Sequence, residues 1–257
     1  MSAPALTDGE VARYSRQLVL AQWSEAAQLR LKGAHVLVVG LGALGTPVAA
    51  YLAGAGVGRI GLVDADDVEL SNLHRQVLHF SPDIDVPKVD SAAAKLRFLN
   101  PQVVVEPYRV RLEAANAEAL VDGLDLVVDC SDSFETRYAV NDACCASRVP
   151  LVEGGVLGLA GVVLTVRPGV SACYRCVFPQ APPAGTAPAC AEAGVLGPAA
   201  GVIGSIQALE ALELLGGLDG ALVDALLQVD LGGYDVTRVR TRRRADCPPC
   251  GAADAGG

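Results

Sequence analysis

The stretch His35-Val-Leu-Val-Val39-Gly40-Leu-Gly42-Ala-Leu-Gly45-Thr-Pro-Val-Ala-Ala-Tyr-Leu-Ala53 decides the fold. Its first five residues form an apolar, β-branched run that predicts a buried strand. Glycines at 40, 42 and 45 predict a tight turn, and the alanine-rich segment to about Ala53 predicts a helix. Glycine there lets the backbone approach a phosphate, and the start of a helix offers free N–H groups to an anion. A second strand, Arg59–Val63, leads to Asp64, about 20 residues on, where an acidic side chain can bond ribose hydroxyls. Such a turn also occurs for packing alone, but the strand–turn–helix context favours a nucleotide.

The pattern continues outward. Residues 7–32 read as helical. Downstream, Lys88–Leu99, 113–121 and Phe134–Ser147 read as helices, with strands at 102–110 and 124–130. Strands alternating with helices imply βαβ units and a parallel sheet over residues 33–155. After Pro150 the texture changes. Strands are expected at 161–167, 225–229 and 236–240, a proline-, alanine- and glycine-rich loop at 179–188, and a long helix at 198–215. The sequence therefore predicts one domain over 1–257, of α/β class. Its doubly wound, Rossmann-like, mainly parallel sheet is extended by antiparallel strands across 156–250, and 251–257 form a disordered tail.

The 51% hydrophobic content fits a globular chain, and the net charge of −9 argues against a general nucleic-acid binder. Five arginines within residues 238–244 are the local exception, read as a solvated edge strand and loop. No apolar run reaches the roughly 20 residues of a membrane span. Met1 to Glu10 lack a basic region followed by an apolar block, so no secretory signal is expected and a cytoplasmic location follows.

Such a turn most commonly binds NAD, and the loop after the second strand shifts the reading away from it. Asp64-Ala-Asp66-Asp67-Val-Glu-Leu-Ser71-Asn72-Leu-His74-Arg75-Gln76 is polar, and Lys88 opens a helix soon after. Hydride transfer has little use for these groups. A triphosphate does, because cations must match its charge and stabilise the displacement transition state. Asp132, just past the predicted strand 124–130, could hold Mg²⁺ against the phosphates.

Eight cysteines include two pairs, Cys173-Tyr-Arg-Cys176 and Cys247-Pro-Pro-Cys250. Two such knuckles suit a closed, four-thiolate structural Zn²⁺ site that ties the C-terminal segment to the rest of the fold. Cys130, Cys144 and Cys145 read as small core residues.

These residues together resemble the ThiF/MoeB/HesA family, bacterial relatives of ubiquitin-activating enzymes, over about residues 8–250. The resemblance rests on Arg13-Tyr-Ser-Arg16-Gln, the glycine turn, Asp64 with Ser71-Asn72-Leu-x-Arg75-Gln, and Pro87-Lys88. It also rests on Asp132-Ser133-Phe-x-Thr-Arg137, Cys190-x-Glu-Ala-Gly-Val-Leu-Gly-Pro and the cysteine pairs. Ala43 departs from the glycine often found inside the turn.

The resemblance implies that Asp64 contacts the ribose and that Arg75 and Lys88 hold the phosphates. Asp132 would bind magnesium, with Asn72 and Ser133 beside the nucleotide. Arg16 would reach the neighbouring site of a homodimer. Cys190 would lie on a crossover loop, where some members form a covalent intermediate. The expected reaction is ATP-dependent adenylation of the C-terminal glycine carboxylate of a small ubiquitin-like sulfur carrier ending in Gly-Gly, with a separate protein as sulfur donor. A carboxylate is already ionised at neutral pH, so the absence of a histidine-based dyad among three histidines is expected. Activation of a carboxylate on modified tRNA, an NAD-dependent oxidoreductase and a silent adaptor are the rival readings.

Overall fold

The computed structural model describes residues 5–183, 194–218 and 222–251. Five parallel strands, β1 (His35–Val39), β2 (Arg59–Val63), β3 (Val104–Tyr108), β4 (Leu126–Asp129) and β5 (Leu151–Leu157), form one half of an eight-stranded sheet. The strands β6 (Ala160–Val166), β7 (Ala225–Asp230) and β8 (Asp235–Arg240) continue it antiparallel. Their spatial order is β3-β2-β1-β4-β5-β6-β7-β8.

Helices cover both faces of the parallel half. In chain order they are α1 (Asp8–Arg13), α2 (Ser15–Leu18), α3 (Glu25–Gly33), α4 (Gly45–Ala55), α5 (Lys88–Leu99), α6 (Ala117–Val121), α7 (Phe134–Ser147), α8 (Tyr174–Val177) and α9 (Gly197–Gly216). One core joins Val36 and Val38 of β1 to α3, α4, α5 and α9; the other joins Leu37 and Val39 to α6, α7 and α8. Strands buried on both faces read as continuous apolar runs, which is why His35–Val39 shows no alternation. β1 lies between β2 and β4, so the crossovers leave in opposite directions and open a crevice at the carboxyl ends of β1 and β4.

The structure departs from the sequence expectation in four places. The predicted helix over 7–32 is three short helices, interrupted between Leu18 and Glu25. The helix expected at 113–121 starts only at Ala117. β5 was not predicted. Its Gly154 and Gly155 mask the strand pattern, yet a Cβ at 154 would lie 2.2 Å from Gln207 and one at 155 would lie 2.8 Å from Arg137. Finally, α9 is 20 residues long with a mean hydropathy of 1.3, enough by length and composition to cross a membrane. Here its residues Ala200, Ile203, Ala211 and Leu215 pack into the core.

Candidate functional site

A cleft of about 290 Å³ opens at the crevice between β1 and β4. Gly40, Gly42, Asp64, Asn72, Arg75, Lys88, Asp132 and Ser133 all line it. The three glycines differ in what requires them. Gly40 has φ +85°, where a side chain would be strained, and a Cβ at Gly45 would sit 1.8 Å from the Gly40 carbonyl oxygen. Gly42 is different: a Cβ there would meet only the Gln76 amide at 3.8 Å. The fold has room for a side chain at 42, and that room faces the cleft. α4 begins without a side-chain cap, leaving its first N–H groups to an anion.

The Asp64 carboxylate ties the loop to the turn, accepting from the Leu41 N–H at 2.7 Å and the Asp66 N–H at 2.8 Å. Lys88 is buried, and its Nζ donates to Asp66 Oδ2 at 3.0 Å, the partner a buried ammonium requires. Arg75 donates to the Ser71 carbonyl at 2.8 Å. Asn72 is buried and accepts from the Glu69 N–H at 3.2 Å, which shapes the bend of the loop. Ser133 caps α7, accepting from the Thr136 N–H at 3.4 Å. Asp132 is exposed, and its side chain has no partner among the described residues.

Arg16 lies on exposed α2 and does not line this cleft. Cys190 lies outside the described residues.

The four sulfurs of Cys173, Cys176, Cys247 and Cys250 lie within 4.8 Å of one another, all buried. Contacts of 3.5 Å (173–247), 3.3 Å (176–250) and 3.9 Å (173–176) leave the atoms at the corners of a compact cluster. That spacing suits four thiolates about 2.3 Å from one tetrahedral ion. The Arg244 N–H points at Cys176 Sγ at 3.3 Å. Hydrogen bonding from the Cys145 thiol, and then from Cys250 and Cys247, lowers the pKa of Cys173 to about 4. Cys145 is a core residue, buried in the same apolar cluster as these four cysteines.

The arginines of 238–244 run along β8, exposed at every residue, and into the next loop. Arg243 donates to the Gly169 and Cys250 carbonyls at 2.9 and 2.6 Å, and Arg244 pairs with Asp246 at 2.9 Å.

Three groups behind the cleft escaped the sequence reading as site residues. Arg137 lines the cleft and approaches buried Glu153 at 3.0 Å, with buried Asp129 alongside. For Asp129 the signal was present, an acid within an apolar strand, which is almost never buried without a partner; Glu153 lies on the unpredicted β5.

The cleft and sheet define a doubly wound α/β protein with an anion-accepting turn at its topological switch point and a four-thiol cluster beside its antiparallel strands. The chain belongs to the ThiF family, whose sequence profile matches residues 14–249. It is 50% identical over 248 residues to pig (Sus scrofa) adenylyltransferase and sulfurtransferase MOCS3, covering 96% of this chain and 54% of that one. It is 47% identical over 250 residues to the sulfur carrier protein adenylyltransferase of Thermus thermophilus, covering 95% and 92%. Among solved structures, E. coli MccB with ATP shares the fold at a TM-score of 0.81 and 22% identity, covering 93% of this chain and 74% of that one. The chain spans about half the length of the MOCS3 relatives it matches.

Proposed function

We propose that this protein uses ATP to adenylate the C-terminal glycine carboxylate of a small ubiquitin-like sulfur carrier. The observation that carries this reading is the convergence of Arg75, Lys88 and the unpartnered Asp132 on one cleft with the glycine turn. The relatives named for sulfur-carrier activation support the substrate class.

The chemistry follows from two anions that must meet. A carboxylate oxygen of the carrier attacks the α-phosphorus, the bond from that phosphorus to the oxygen bridging to the β-phosphate breaks, and pyrophosphate departs. The carboxylate needs no general base, only orientation and cations that offset the repulsion. The glycine turn and the start of α4 receive phosphate oxygens, with Gly42 leaving the approach open. Arg75 and Lys88 supply positive charge, Lys88 shifting its pairing from Asp66 toward phosphate. Asp64, with lone pairs beyond its two backbone bonds, takes the ribose, near Asn72 and Ser133. Asp132, an exposed and unpartnered carboxylate on the cleft wall, fits Mg²⁺, which when bound adds charge neutralisation on the phosphates. The compact sulfur cluster fits Zn²⁺ in a structural role. A reducing, cytoplasmic setting agrees with thiols kept as ligands.

The active form on this reading is a homodimer. Arg16 stands outside its own cleft, free to serve a second copy. An apolar groove formed by Pro47, Ala50, Tyr51, Val77, Pro198 and Val202 offers that copy a seat. A separate sulfur donor would consume the acyl-adenylate, and Cys190 would take part in that discharge where a covalent step is used.

The test is ATP–pyrophosphate exchange with carriers ending in Gly-Gly, tRNA and NAD binding serving as competing arms. Carrier-dependent exchange is expected. Tight ATP binding with no exchange for any carrier, or exchange driven by tRNA alone, overturns the reading.

A further inference from the structure

Behind the wall that carries Asp132 lies a buried ionic cluster with no task in the chemistry above. Arg137 Nη1 stands 3.0 Å from Glu153 Oε1, an ion pair out of line for a hydrogen bond. Arg137 Nη2 donates to the Ser131 carbonyl at 2.8 Å, and the Ser131 N–H donates to Asp129 Oδ1 at 2.9 Å. Both peptide groups of Ser131 are thus clamped by this cluster. On the other side of Asp132, Ser133 is fixed as the cap of α7. Asp132 therefore projects from a short loop held at each end, with nothing holding its own side chain among the described residues.

Both Glu153 oxygens and Asp129 Oδ2 are buried without a hydrogen-bond donor among the described residues. Burial, reinforced by Asp129, pushes the Glu153 pKa well above the ordinary carboxylate range. Arg137, held against Glu153, therefore bonds the Ser131 carbonyl from a fixed position.

We propose that Glu153 is a positioning residue: through Arg137 it fixes the loop of residues 131–133, and so sets how tightly Asp132 holds the divalent cation of a metal–ATP complex. The inference rests on Asp132 serving that cation in the adenylation reading. Glu153 touches neither nucleotide nor metal. It acts at one remove, and such supporting groups typically change metal affinity by about 10- to 100-fold.

The experiment is calorimetric binding of ATP to the full chain, with Mg²⁺ and with EDTA. Glu153→Ala is expected to weaken binding about tenfold with Mg²⁺ while leaving binding in EDTA unchanged, and Arg137→Ala to weaken binding with Mg²⁺ to a similar extent. The double variant is expected to be no weaker than either single one, since both break one strut. Glu153→Gln keeps the volume, an oxygen toward Arg137 and a donor toward Asp129, and is expected to recover affinity. It also serves if an alanine variant fails to fold. Equal losses with and without Mg²⁺, additive losses in the double variant, or a Glu153→Gln variant without Mg²⁺-dependent affinity overturn the proposal. Wild-type protein that binds no ATP at all overturns the adenylation reading itself, a result distinct from any of these.

Discussion

The two halves of the sheet are held together by different means. The parallel half, β1 to β5, is sandwiched between two apolar layers, and its inner strands β1, β2, β4 and β5 are buried on both faces. The antiparallel half thins toward β8, where every residue is exposed, and its far segment is anchored by sulfur. The difference follows from topology. A doubly wound sheet supplies helices for both faces of the parallel strands, whereas the closing β7–β8 hairpin brings none of its own. The half with the larger core can therefore leave backbone open at the switch point for a ligand, and the other half needs a staple.

The largest expected effect tests the staple. Cys247→Ser is expected to abolish stoichiometric zinc, measured by metal analysis, and to lower Tm by roughly 10 °C, as loss of several kcal/mol of metal-linked folding energy implies. An unchanged Tm would mean that the antiparallel half stands without sulfur, and the contrast would fail. Next is the cleft. Lys88→Ala is expected to reduce carrier-dependent ATP–pyrophosphate exchange by about 10²- to 10³-fold, the usual effect of losing one group that stabilises transition-state charge. Its zinc content should not change.

The glycine turn separates packing from binding within the parallel half. Gly45→Ala is expected to destabilise the fold by about 1–3 kcal/mol in denaturant unfolding, because its Cβ meets the Gly40 carbonyl. Gly42→Ala should leave stability intact and weaken ATP binding. If the two variants behave alike, the turn serves packing only.

The last effect concerns pH. Glu153 has a folded pKa raised above its unfolded value of 4.5. Below that value both states are protonated. As pH rises past it, the unfolded chain ionises first, so this group's contribution to stability is lost progressively, up to about 1.4 kcal/mol per pH unit. Wild-type protein should therefore lose stability relative to Glu153→Gln between pH 4.5 and neutrality, as followed by chemical denaturation. A difference that stays flat with pH would show an ionised Glu153.

The parallel half was more legible than the rest because its signals are local. His35–Val39 followed by three glycines states a strand, a turn and a helix within a short span. The cysteine pairs announced a cluster by spacing alone. β5 escaped because its two glycines serve contacts with Gln207 and Arg137, which come from distant helices. For the same reason Glu153 looked unremarkable until the fold set Arg137 beside it. The break in the segment 7–32 was also hidden, since Trp23 is fixed by tertiary contact, its ring packed so close to Gly216 of α9 that a Cβ there would lie 2.9 Å away. Arg75, Lys88 and Asp132 were expected to converge on the carboxyl edge of the sheet, and all three line one cleft there.

The open rim at β8 carries a consequence of its own. A fully accessible outermost strand is a template on which a second chain could lengthen the sheet, and repeated lengthening leads to fibres. Arg238 and Arg240 occupy that rim in a protein that is otherwise acidic. Two copies meeting rim to rim would crowd like charges and desolvate guanidinium groups. Charged side chains on an outermost strand oppose such growth.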